Sequence, residues 1–105
     1  MIDHKTLYEK LQTLGIPVAY DHFDSNKQVT IPFIVYREQQ LSTFRADDKT
    51  YHQFFNFEIE LITEKKDIEL ENRLEVLLTN NNIPYEKNDE VWDNDERIYH
   101  NYYEI

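Results

Sequence analysis

The residues of this chain whose types could carry chemistry are two carboxylate clusters and four histidines. Asp89, Glu90, Asp93, Asp95 and Glu96 crowd one short stretch, and oxygen ligands at that density suit a hard cation. The stretch lacks the glycine and the closing glutamate of a calcium loop, however, and a solvated hairpin tip accounts for the same residues. Asp47 and Asp48, taken with Glu64, Lys65 and Lys66, fit the acid-acid-x-lysine pattern of a metal nuclease. An acidic chain opposes DNA, and Glu64-Lys65-Lys66 falls in a strand-to-helix turn, so cleavage is not expected. His4, His22, His52 and His100 stand far apart and form no HxH, HExxH or HxxxH ligand set. Gly15 is the only glycine, which excludes phosphate cradles of the P-loop and dinucleotide type. There is no GxSxG and no cysteine, so the common nucleophile motifs are missing. The expectation is a protein with no catalytic residue, metal or cofactor.

Composition bounds the alternatives. A chain of 105 residues is long enough for one domain with its own core, spanning 1–105. Without cysteine no disulfide framework or thiolate metal site is available. No apolar run approaches the roughly 18 residues of a membrane span, and a soluble protein made in the cytoplasm is expected. Acids outnumber bases 21 to 11, for a net charge of −10, and such a surface lacks the basic footprint of a nucleic-acid binder. Hydrophobic and aromatic contents of 40% and 14% argue against disorder. That many aromatics in a short chain suggest surface buried against other subunits.

The positioning elements are organised around Tyr51–Ile62. Phe55, Phe57, Ile59 and Leu61 alternate there with Asn56, Glu58 and Glu60, the period of a strand with one buried face. Phe54 and Ile62 make the ends apolar on the second face too, so something should cover them. Thr6, Leu7, Leu11 and Leu14 predict a helix from about Asp3 to Leu14, stopped by Gly15 and Pro17. Val18-Ala19-Tyr20 reads as a short strand and Val29–Glu38 as a second, with Pro32 marking an edge or bulge. Leu70, Leu74, Leu77 and Leu78 predict a second helix over Ile68–Asn80, with Asp67 as N-cap and Glu69 and Glu71 in its first turn. Strands from Ile83 to Trp92 and Arg97 to Ile105 close a hairpin about Asp93–Glu96. The order α-β-β-β-α-β-β predicts an α+β fold, a mainly antiparallel sheet with two helices packed on it.

Gln39–Thr50 has no period, yet Leu41 and Phe44 make it less polar than an idle loop. These two either fold back on the domain's own core or dock on a partner.

Pro32-Phe33-Ile34-Val35-Tyr36, Phe44-Arg45-Ala46-Asp47-Asp48-Lys49-Thr50-Tyr51, Leu61–Asp67, Ile83–Lys87 and the terminal Tyr102-Tyr103-Glu104-Ile105 together resemble the tail completion proteins of long-tailed bacteriophages and prophages of Gram-positive bacteria. These are also called tail terminator or tail-to-head joining proteins. The resemblance covers nearly the whole chain, and Phe44–Tyr51 is its most specific string. It implies a non-enzymatic structural protein of the virion, assembled in the host cytoplasm. There it would form a homo-hexameric ring that caps the head-proximal end of the tail tube and docks on the head connector. Its partners would be itself, the tail tube protein and the connector, with DNA passing through the lumen without specific binding. Under this reading Leu41, Phe44, Arg45, Asp47, Asp48 and Lys49 form an arm at the subunit interface. Asp89, Glu90, Asp93, Asp95 and Glu96, or the loop from Asp21 to Ser25, supply carboxylates to the lumen. The competing reading is an acidic DNA mimic that blocks a DNA-binding protein. Against it, the acids alternate with apolar residues on strands or collect in turns, leaving no continuous acidic helix face.

Overall fold

The computed structural model describes residues 2–24, 29–38 and 57–105. Helix α1 (His4–Gln12) leads into β1 (Val18–Tyr20) and β2 (Phe33–Glu38), followed by β3 (Phe57–Thr63), α2 (Ile68–Asn80), β4 (Glu86–Asp93) and β5 (Ile98–Glu104). One five-stranded sheet runs in the order β1-β2-β3-β5-β4. Only β1 and β2 pair in parallel; the other three ladders are antiparallel. The expected α+β order is the observed one.

Both helices begin on an aspartate. Asp3 accepts from Thr6 N at 2.8 Å and Asp67 from Leu70 N at 3.0 Å, each satisfying an amide that the first turn leaves free. Both helices also end alike. Gly15 and Asn82 have φ of 81° and 58°, and each is followed by Ile-Pro, which turns the chain back toward the sheet. Gly15 takes this conformation because it has no Cβ to clash.

Register sorts the sheet into two faces. Ile34, Tyr36, Phe57, Ile59, Leu61 and Tyr103 share the helix side and pack with Leu7 and Leu11 of α1 and Leu70, Leu74 and Leu78 of α2 into one core. Arg73 of α2 donates to Leu14 O at 2.9 Å and ties α2 to the turn that follows α1. On the other face no helix lies among the described residues. Ile62 is nevertheless buried there, with Phe33 and His100 in register on either side and Phe23 packed edge-on to Phe33 at 5.3 Å. Among the described residues, the cover expected over this end of β3 comes from side chains of the neighbouring strands and from Phe23.

Several boundaries differ from the sequence reading. The strand expected over Val29–Glu38 begins at Phe33, because Pro32 has no N–H to give to a ladder. The strand expected from Ile83 begins at Glu86, since Pro84 imposes the same loss; Ile83 goes into the core instead. Within the expected Tyr51–Ile62 strand, residues 51–56 lie outside the described residues, and β3 continues one residue further, to Thr63.

Candidate functional site

A groove of about 370 Å³ opens between α1 and the edge strand β1, lined by His4, Lys5, Tyr8, Tyr20 and Tyr36. The sequence builds it simply. His4 and Tyr8 are four apart on α1 and so share a face, while Tyr20 and Tyr36 are paired across β1 and β2 on the helix side of the sheet. Ring centroids lie 4.7 Å apart for His4–Tyr20, 5.3 Å for Tyr20–Tyr36 and 6.3 Å for Tyr8–Tyr36. Tyr20 is 43% exposed and Tyr8 36%, so their rings are available at the surface. Tyr36 is wholly buried and its hydroxyl has no hydrogen-bond partner among the described residues. Burial, and then the neighbouring Tyr8 and Tyr20 phenols, push its pKa up to about 12. Tyr20 Oη accepts from the backbone N–H of Glu38 at 3.2 Å, which fixes that ring.

The opposite edge of the sheet is β4. Val91 and Trp92 are each 44% exposed there and point to opposite faces. Trp92 pairs with Tyr99, ring centroids 6.3 Å apart, on the same side of the sheet as the groove. The strand therefore presents an indole on the helix side at the far end from β1.

Beneath α2 a charged network ties this edge down. Glu71 Oε1 accepts from Lys66 Nζ at 3.0 Å and from Lys87 Nζ at 2.5 Å, with the glutamate side chain only 4% exposed. Lys66 also pairs with Glu90, and that hydrogen bond is the main cause raising the lysine pKa and lowering the glutamate's. Burial works against the charge on Lys87, but its hydrogen bond to Glu71 and the surrounding carboxylates outweigh it. Glu75 accepts from Tyr103 Oη at 2.7 Å. Burial and then this bond raise the Tyr103 pKa. Glu71 Oε2 and both polar side-chain atoms of the fully buried Asn101 have no partner among the described residues.

A second network runs over the sheet face opposite the two described helices. Arg37 reaches Glu58 at 2.8 Å and Glu60 and Asp21 at 3.6 Å each, and His100 Nδ1 lies 2.6 Å from Glu60 Oε2. The His100 ring stacks on Tyr102. One guanidinium on β2 thus serves three carboxylates, Glu58 and Glu60 of β3 and Asp21 just after β1.

The hairpin acids singled out from sequence have unlike surroundings. Glu90 is held by Lys66 and by Lys87 at 3.6 Å, so its charge is compensated. Asp93 Oδ1 accepts from the Asp95 and Glu96 amides at 3.0 and 3.1 Å and so shapes the turn. Asp89, Asp95 and Glu96 are exposed and make no salt bridge among the described residues. The arm Leu41, Phe44, Arg45, Asp47, Asp48 and Lys49 lies outside the described residues, as does His52. Of the nuclease-like set, Lys66 is occupied by Glu71 and Glu90. Among the described residues no group of histidine, aspartate and glutamate is arranged to hold a metal.

Sequence reasoning placed Glu71 in the helix first turn as a dipole partner and missed its role as a buried hub. The available signal was its position beside the Leu70–Leu74–Leu78 stripe, matched by Lys87 alternating with Tyr85. The aromatic groove was likewise missed, although His4 and Tyr8 show helical spacing. No protein-family model matches the chain, and no curated protein or solved structure matches it either.

Proposed function

We propose that this protein is a structural subunit of a phage or prophage tail, assembling head-to-tail into a hexameric ring that caps the tail tube and joins it to the head connector. The observation that carries the reading is a pair of unlike exposed aromatic surfaces at opposite edges of one sheet. One is the groove of His4, Tyr8, Tyr20 and Tyr36 beside β1, and the other is Trp92, beside Tyr99, on the same face of the sheet at β4. A heterologous contact requires two different patches on each subunit, and a ring follows when the rotation closes. An isologous dimer needs only one self-complementary patch.

The net charge of −10 has a use in such a ring. DNA must traverse the bore without sticking, and carboxylates on the wall repel phosphates within a Debye length, about 8 Å in physiological salt. Asp89 and Glu96, uncompensated by any cation among the described residues, are free to face it. The DNA-mimic reading draws less support, because Glu71 and Glu75 of α2 turn onto Lys87 and not outward.

The test is tube assembly. Added to polymerising tube protein encoded beside its own gene, the chain should arrest elongation and appear as a collar at one tube end in electron micrographs. Tubes that keep growing, with no collar, would count against the proposal.

A further inference from the structure

Building on the ring reading, we propose that neighbouring subunits meet by seating Trp92 of one copy in the groove formed by His4, Lys5, Tyr8, Tyr20 and Tyr36 of the next. Location comes first. Both features lie on the helix side of the sheet, at its two opposite edges, so a head-to-tail repeat in the plane of the sheet brings one to the other.

Size and chemistry agree. The groove's 370 Å³ is near the lower end of the roughly 300–1,000 Å³ of pockets that take one small organic molecule, which suits a single ring system. An indole buries roughly 150–250 Å² and packs offset or edge-on against other aromatics, and the Tyr8 and Tyr20 rings offer such walls. The Trp92 indole is 44% exposed, and the buried Tyr36 hydroxyl beside the groove has no hydrogen-bond partner among the described residues. Charge sets the direction. Lys5, at the groove, makes no salt bridge among the described residues, whereas Trp92 is followed by Asp93 and Asp95. Pairing β4 with β4 of a second copy would instead set Glu86, Asp89 and Asp93 against one another, which disfavours a symmetric contact.

The test uses the full chain in two variants, Trp92→Asp and Tyr20→Asp, each checked for a wild-type circular dichroism spectrum. Trp92→Ala and Tyr20→Ala stand in should either aspartate variant unfold. Light scattering should show each variant alone as a monomer, its association weakened about thirtyfold or more, as for an interface hot spot. An equimolar mixture should give a heterodimer and nothing larger, since one contact of complementary halves survives and the next is blocked. Trp92 is the only tryptophan, so its emission should shift to the blue as wild-type chains associate and stay unshifted in Tyr20→Asp. A ring that persists in Trp92→Asp, or folded variants that fail to pair when mixed, would overturn this contact and leave the ring standing. A wild-type chain that associates neither alone nor on tail tubes would overturn both.

Discussion

Lys87 Nζ lies 2.5 Å from Glu71 Oε1, and this contact fastens α2 to the edge strand that carries Trp92. Burying a carboxylate whose side chain is 4% exposed is costly unless it is paired, and two ammonium groups reach this one from different elements, Lys66 from the turn before α2 and Lys87 from β4. Removing one leaves the buried charge half compensated. Lys87→Met should therefore lower unfolding free energy by roughly 1–3 kcal/mol, read from urea midpoints at constant slope. A loss below about 0.5 kcal/mol would mean that water already screens the pair.

Phe57 is 2% exposed at the start of β3, and its backbone exchanges hydrogen bonds with Ile105 at 3.0 and 2.9 Å. Phe57→Ala should cost about 3–5 kcal/mol, from lost transfer energy and the cavity left between Tyr36 and the helices. Thermal denaturation decides it, and a shift in melting temperature of only a degree or two would place Phe57 outside the core.

Tyr36 predicts a pH dependence. Its pKa is raised from 10.0 to about 12, so the folded state favours the neutral phenol. That contribution is complete below pH 10 and is lost as pH rises through 12, and it amounts to roughly 2–3 kcal/mol at 1.36 kcal/mol per unit. Tyr36→Phe has nothing to ionise there, and it also removes a hydroxyl buried without a partner among the described residues. Its stability should equal or exceed wild type at pH 8, with the advantage widening between pH 10 and 12. Parallel decline of both proteins over that window would assign the alkaline loss to other tyrosines, such as Tyr103.

The caps and core stripes were legible in the sequence because they depend on neighbours in the chain. Leu7 and Leu11, Leu70, Leu74 and Leu78, the cap at Asp67 and the turn after Gly15 all follow from local spacing. Strand order was not legible. That β1 lies parallel to β2, and that β5 sits between β3 and β4, depends on contacts between residues far apart in sequence. The surfaces failed for the same reason. His4 and Tyr8 mean little until Tyr20 and Tyr36 are set beside them by a parallel pairing. The hairpin acids looked equivalent, and only tertiary placement gives Glu90 its lysines while leaving Asp95 bare.

Self-association into a ring is tested most directly by the molar mass of the purified full chain by light scattering across concentration, alone and with tail tubes present. A closed hexamer of 12.9 kDa subunits is expected, either free at high concentration or formed on the tube end. Material that remains a single subunit throughout and does not attach to tubes would contradict it.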